Sequence, residues 1–347
     1  MSEFDTIALT MRIGMIGLGF MGLTHLKGIK NIPGVEVGAV CSDVPQALTG
    51  DLSSVQGNLG GSGAVFDFSK AQKFSDAIEA VRKADVEAVD LCLPTRLHAP
   101  VAIEALKAGK HVLVEKPMAL EASECAAMID AAHKSGTILM SAQVLRFFNA
   151  YLPLIDAVRT GKFGQVRHAL FRRRCAAPGW GGWLRDRTQS GGGVFDLLIH
   201  DIDMMQYLFG MPKQVRSWGH EDLAGGLDLL TSEFDYSGFS VTVTGGWHHM
   251  KDYPFSMEYT VAGDGGAMEY SSAGRDPRWY SSGGGDTLLP MSPMDGYQAE
   301  VQYFIECCRA NQQPKICAPE SSAASVALTR LAEQARAKKG EAVPCTL

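Results

Sequence analysis

The sequence predicts an α/β protein in two parts. A doubly wound parallel sheet comes first, followed by an α/β domain built on a large, mostly antiparallel open sheet. Three observations carry this. Over about residues 11–142, short and nearly continuously apolar runs alternate with helical patterns, as in a parallel sheet covered on both faces. A glycine-rich turn, Gly17-Leu18-Gly19-Phe20-Met21-Gly22, joins the first apolar run to the first helical pattern. From 213 to 270 the pattern becomes a succession of runs with period two, which suits one antiparallel sheet.

Taken in order, residues 11–16 (MRIGMI) read as a strand, 20–31 as a helix and 35–41 (VEVGAVC) as the second strand. The glycine-rich QGNLGGSG follows, then a short apolar run around Val65 and a helix over 71–83. Strands at 86–93, 111–114 and 137–142 alternate with helices at 97–109 and 121–135. A helix then runs from about 145 to Thr160, a strand carries VRHALFRRR, and the loop CAAPGWGGWLRDRTQSGGG leads into a helix over 193–209. The runs QVRSWGH, LLTSEFDY, FSVTVTGGW, SMEYTVAG and GAMEY read as strands, and the Gly/Ser-rich 273–292 as an exposed loop. Helices at 295–310 and 320–338 finish the chain. We place the domain boundary between 1–143 and 144–347, with the last helices able to pack back on the first domain.

The chain has 347 residues, 46% hydrophobic and 20% charged, with a net charge of −6. That is long enough for two domains, and no run of like charge marks a nucleic-acid surface or a basic membrane-facing helix. No apolar run reaches the roughly 18 residues a membrane span needs. The eight cysteines contain no C-x-x-C pair, and the start, MSEFDTIALTMR, lacks the basic and apolar regions of a secretory signal. The expectation is reduced thiols in the cytoplasm.

The glycine turn follows a strand and opens a helix, which is the context of a dinucleotide-binding Rossmann fingerprint. Gly17, Gly19 and Gly22 would allow the tight turn, the approach of the pyrophosphate and close helix–strand packing, with Phe20 and Met21 beside them. The alternative is a plain strand-to-helix turn. After the second strand come Ser42 and Asp43. Asp43 could accept from both ribose hydroxyls and would repel a 2′-phosphate; Ser42, in the other register, would tolerate one. No arginine sits beside either, so the cofactor is NAD or NADP, with NAD favoured.

In VLVEKPMAL, residues 112–120, Lys116 stands at the carboxyl end of a strand, where open parallel sheets bind ligands. There an ammonium can exchange protons and its pKa can fall; the alternative is a surface lysine closing a strand. In GGGVFDLLIHDID, Asp196, His200 and Asp203 are spaced i, i+4, i+7 and share one helical face. A histidine flanked by carboxylates can serve as proton donor or acceptor near neutral pH. A structural His–Asp pair and a three-ligand metal face are the other readings. Hydride transfer needs no metal, so none is expected.

With these residues in view, the chain resembles the glucose–fructose oxidoreductase / inositol dehydrogenase / rhizopine-catabolism (Gfo/Idh/MocA) family over about residues 11–260. GLGFMG, LCLPTRLHAPVAIEALKAGKHVLVEKP and the GGG…D-x-x-x-H helix match in order and spacing. The resemblance implies Lys116, Asp196 and His200 as the catalytic group, a frequently cis Lys–Pro bond, Pro94, Thr95 and His98 on the cofactor-side loop, and Glu115 near the nicotinamide. It also implies a homodimer or homotetramer formed through the second sheet. Many NAD-using members place the acidic ribose residue where this chain has Ser42.

On the substrate side, Arg146, Trp180, Trp183 and Arg185 could stack on sugar faces or bind hydroxyls, and Gln143 ends a strand of the first sheet. Packing of the tryptophans and solvation of Arg185 is the alternative. Trp247, His248 and His249 read as sheet-edge residues and His25 as structural. The expected activity is NAD(P)-dependent hydride transfer to or from a sugar, cyclitol or related polyol, with His200 as acid/base and Lys116 polarising the hydroxyl, or these two roles exchanged, and Asp196 orienting the base. Two other readings stay open. One is an NAD-dependent glycosidase working by transient oxidation and elimination; the other is a non-catalytic NAD-binding sensor.

Overall fold

The computed structural model describes residues 10–57, 63–179, 182–248 and 250–346. Six strands form the first sheet: β1 (Met11–Ile16), β2 (Val35–Cys41), β3 (Gln72–Phe74), β4 (Ala88–Leu91), β5 (His111–Glu115) and β6 (Leu139–Ala142). They are all parallel and run in the order β3-β2-β1-β4-β5-β6. This is the doubly wound arrangement whose ligand crevice opens between β1 and β4, at the carboxyl ends of the strands. Every residue of β4 and β6 is buried, which is why these strands read as unbroken apolar runs. Helices α1 (Phe20–Ile29), α2 (Ala77–Lys83), α3 (His98–Lys107) and α4 (Ala122–Ser135) provide the crossovers.

After α5 (Leu152–Arg159) the second sheet begins with β7 (Val166–Cys175). The short α6 (Arg187–Ser190) and the long α7 (Gly193–Phe209) come before β8 (Gln214–Asp222), β9 (Leu227–Tyr236) and β10 (Phe239–His248). Then follow β11 (Ser256–Gly263), β12 (Gly266–Ser271), β13 (Arg275–Ser281) and β14 (Asp286–Leu288). Helices α8 (Gly296–Ala310) and α9 (Pro319–Ala337) and the short β15 (Val343–Pro344) close the chain. The nine strands lie in the order β14-β13-β12-β11-β7-β10-β9-β8-β15. Only β7 and β10 pair in parallel. The sheet's inner face packs on α5, α7 and α9 through Leu154, Leu198, Ile202 and Leu328. Helix α8 goes the other way: Val301, Phe304 and Ile305 join the core under β1 with Ile13 and Met15.

Four local readings change. The helix expected over 71–83 is strand β3 and then α2, because Asp76 caps the helix by accepting from Glu79 N at 2.7 Å. The helix expected from 145 begins at Leu152, with Pro153 in its first turn, where a missing N–H costs nothing. The loop expected over 273–292 contains the hairpin β13–β14. Its alternation buries Trp279, whose ring meets Phe163 edge-on at 5.2 Å, and the glycines are only its turn. Trp247 is no edge residue: β10 lies inside the sheet and the ring is 1% exposed. His249 lies outside the described residues. All eight cysteines are free, and no helix among the described residues is long and apolar enough to cross a membrane.

Candidate active site

A cleft of about 960 Å³ runs along the carboxyl ends of the first sheet and reaches the inner edge of the second. That volume is at the upper end for small-molecule sites. Its floor is the glycine turn. Gly17 has φ +100°, and a Cβ there would stand 2.2 Å from the Cys92 carbonyl oxygen. A Cβ on Gly22 would meet the Gly17 carbonyl oxygen at 2.1 Å, whereas one on Gly19 would meet nothing within 4 Å. The open space therefore lies over Gly19, the N-cap of α1, and no side chain caps that helix. An uncapped helix start facing an open glycine turn fits a pyrophosphate. Gly17, Gly19, Phe20 and Met21 line the cleft, while Gly22 lies behind it, packing α1 against the turn.

The far end is acidic. Ser42 and Asp43 both line it, together with Asp51 and Asp76. The Ser42 hydroxyl is engaged, accepting from Val44 N at 3.1 Å, and Asp43 is exposed. Arg96, Lys116 and Arg173 are the basic residues lining the cleft among those described.

The reaction end is built from β5 and α7. Lys116 follows β5 directly, and the Lys116–Pro117 peptide is cis. Its Nζ donates to Asp196 Oδ1 and to the Asp196 carbonyl oxygen, each at 3.0 Å. The start of α7 is fixed by three features. Gly192 takes φ +101°, a Cβ on Gly193 would strike the Trp247 ring at 2.5 Å, and Val194 N donates to Asp228 Oδ2 of β9 at 2.9 Å. The three glycines thus let the helix begin flat against Trp247, and a carboxylate from another strand serves as its cap. Asp196 and His200, one turn apart, both line the cleft. Burial, with Lys116 and Arg173 adding to it, holds the His200 imidazole well below its ordinary range, so the ring is neutral. Its Nδ1 is buried without a hydrogen-bond partner among the described residues.

Two family models match the chain. One, an oxidoreductase family with an NAD-binding Rossmann fold, covers residues 11–143; the other, the GFO/IDH/MocA C-terminal domain, covers 151–269. The chain belongs to the GFO/IDH/MocA oxidoreductase family. An inositol 2-dehydrogenase of Salmonella typhimurium is 26% identical over 323 residues, 88% of each chain. A D-glucoside 3-dehydrogenase of Escherichia coli is 33% identical over 206 residues, 58% of this chain and 55% of that one. The aldose-aldose oxidoreductase of Caulobacter crescentus, solved with glycerol, has the same fold. It superposes with a TM-score of 0.82 at 22% identity, over 96% of this chain and 99% of that one.

Within this GFO/IDH/MocA site, Pro94, Thr95, Glu115 and Trp183 also line the cleft. Four expected contacts do not. His98 is buried, with its ring nitrogens 2.8 Å from the Pro117 and Leu93 carbonyl oxygens; it ties two loops together. Arg146 has no exposed side chain. It is taken up by Asp203 at 2.6 and 2.9 Å, by the Ile316 carbonyl and by Ser321. Gln143 is 1% exposed and off the cleft, and the exposed Arg185 lies beside Gly226. Trp180 lies outside the described residues. Asp203 shares the face of Asp196 in spacing only, since it points into the Arg146 pair. Sequence reasoning missed Arg173, which lines the cleft with its Nε 2.7 Å from Asp201 Oδ2. The signal was present in VRHALFRRR: period two sets Arg173 on the buried face with Phe171, while Arg172 and Arg174 turn outward to Glu258.

Proposed function

We propose that the protein is an NAD-dependent dehydrogenase of a sugar, cyclitol or related polyol, with Lys116, Asp196 and His200 as its acid–base group. The observation that supports this is the meeting, in one cleft, of an open phosphate cradle with a lysine–carboxylate pair and a neutral imidazole. Gly17, Gly19, Phe20 and Met21 would hold the pyrophosphate, Asp43 the ribose hydroxyls, and Pro94, Thr95 and Glu115 would border the nicotinamide. Bound there, the nicotinamide supplies a hydride acceptor. The Lys116 ammonium, fixed by Asp196, polarises the substrate hydroxyl. His200, neutral at physiological pH, takes the hydroxyl proton as the carbinol carbon gives up hydride, and later passes it to water. A base of this kind contributes roughly 10²–10⁴-fold to the rate.

Relatives named for inositol and for a glucoside support the substrate class. Acidic residues at the ribose end support NAD over NADP, since a 2′-phosphate there would meet Asp43, Asp51 and Asp76 and no basic residue of the cleft wall. Trp183 is the proposed stacking surface for the sugar. A homodimer or homotetramer through the second sheet belongs to the same reading; its outer face presents Trp218, 48% exposed. The test is NADH formation from NAD and a panel of inositols, aldoses and glucosides, with sugar release followed in parallel. Reduction of NAD that stops in Lys116→Ala supports the proposal. Free sugar without net NADH replaces it with oxidation–elimination hydrolysis, and inertness of both proteins despite dinucleotide binding replaces it with a sensor.

A further inference from the structure

Behind the phosphate turn, four ionisable side chains meet: His25, Asp90, Glu115 and Glu300. His25 of α1 is 0% exposed. Its Nδ1 lies 2.8 Å from Asp90 Oδ2 on β4, in a hydrogen bond, and its Nε2 lies 3.2 Å from Glu115 Oε1 at the end of β5, at ion-pair distance without hydrogen-bond alignment. Glu115 is 6% exposed and lines the cleft, and its Oε2 accepts from Lys116 N at 2.9 Å. Glu300 of α8 is fully buried, and neither carboxyl oxygen has a hydrogen-bond partner among the described residues.

We propose that His25 is a positioning residue. Its buried cation keeps Glu115 ionised in the wall of the reaction end, so that the site favours the positively charged oxidised nicotinamide over the neutral reduced ring. The inference rests on the dinucleotide reading given above. Geometry supplies the first support: an imidazole with a carboxylate at each nitrogen, out of water, is stable as a cation. The charge balance agrees. Burial is the largest single effect and opposes protonation of His25, yet Asp90 and Cys92 together outweigh it and hold the ring well above its ordinary range. Burial also opposes the charge on Glu115, yet His25 and Lys116 hold that carboxyl below the usual range. At Glu300 burial wins, so that group is a neutral acid.

The groups facing Glu115 are His25 from α1, Asp90 from β4 and Cys92 just after it, His98 from α3, Lys116 beside it, and Tyr297 and Glu300 from α8. Burial pushes the Cys92 thiol and the Tyr297 phenol up, and the His98 imidazole down. His25 is therefore the cation whose removal exposes Glu115 to its own desolvation.

The experiment measures dissociation constants of NAD and NADH from pH 6 to 9, by protein fluorescence, with no turnover required. In the wild type the preference for the oxidised form is flat with pH. Glu115→Gln lowers it at every pH by about tenfold, the size of one partly screened charge contact. In His25→Asn, Glu115 titrates upward. The preference falls toward that of Glu115→Gln at low pH and recovers as pH rises, which loss of packing alone would not produce. Asp90→Asn, which removes the group that holds the His25 charge, gives the same trend and serves if His25→Asn fails to fold. A flat, wild-type preference in a folded His25 or Asp90 variant overturns the inference, as does an unchanged preference in Glu115→Gln. If the wild type binds neither nucleotide, it is the dinucleotide reading that fails.

Discussion

Asp196 and Asp203 stand two turns apart on α7, and each receives a cation from a distant element. Their environments differ. Asp196 and its partner Lys116 keep 19% and 14% of their side chains exposed, at the wall of the cleft. Asp203 and its partner Arg146 keep 1% and 0%, and Ser325 adds another bond to the carboxylate at 2.7 Å. Lysine is a point charge that can give up a proton; arginine stays charged and grips a carboxylate with a planar fork. The same pattern of charge on one helix thus yields one pair in the cleft wall, which water and ligand can reach, and one buried pair, which they cannot.

The sharpest way to break this comparison is to remove each cation. Lys116→Ala is expected to lower kcat/KM by about 10²–10⁴-fold with little change in thermal midpoint or dinucleotide affinity. Arg146→Ala is expected to do the reverse. It leaves a buried Asp203 unpaired, at a cost of about 3–5 kcal/mol in urea unfolding, while the folded fraction keeps its kcat. Unchanged turnover in the first, or unchanged stability in the second, would erase the distinction.

The third test moves one turn along, to His200. Because its folded value lies well below the ordinary 6.5, the base form persists as pH falls through that range. The acid limb of kcat/KM is expected below pH 6.5, with less than about a twofold loss between pH 8 and 6.5, and His200→Asn removes that limb. The smallest effect contrasts Asp203 with Glu300, a buried acid with no ion-pair or hydrogen-bond partner among the described residues. Its raised value means that it favours folding fully only below its ordinary 4.5, and that this contribution is lost as pH rises through the folded value. Glu300→Gln mimics the neutral acid at every pH. Its gain in stability is expected to be roughly 1 kcal/mol or more at pH 7 and to vanish below pH 4.5, as read by denaturant midpoints.

The same contrast shows what could be read in advance. The parallel sheet, the glycine turn and the lysine at the end of β5 were legible, because strand period, turn chemistry and the carboxyl-end rule are local or topological. Helix α7 was legible to the residue, 193–209. What periodicity could not tell is which carboxylate on that face meets the cleft: Arg146 arrives from a turn 57 positions away from Asp203. Arg146 read as a substrate ligand for the same reason. A charged residue at a domain junction looks the same in sequence whether it faces a sugar or an aspartate. The hairpin at 275–288 was hidden because glycines and serines outnumber the alternating Trp279 and Tyr280.

Helix α8 lends Val301, Phe304 and Ile305 to the core beneath β1, although the chain reaches it only after finishing most of the second sheet. A gene severed between the sheets would therefore yield an amino-terminal fragment with an uncovered oily flank. Swapping nucleotide modules between relatives would require transplanting the tail as well, because the two halves are stitched rather than strung.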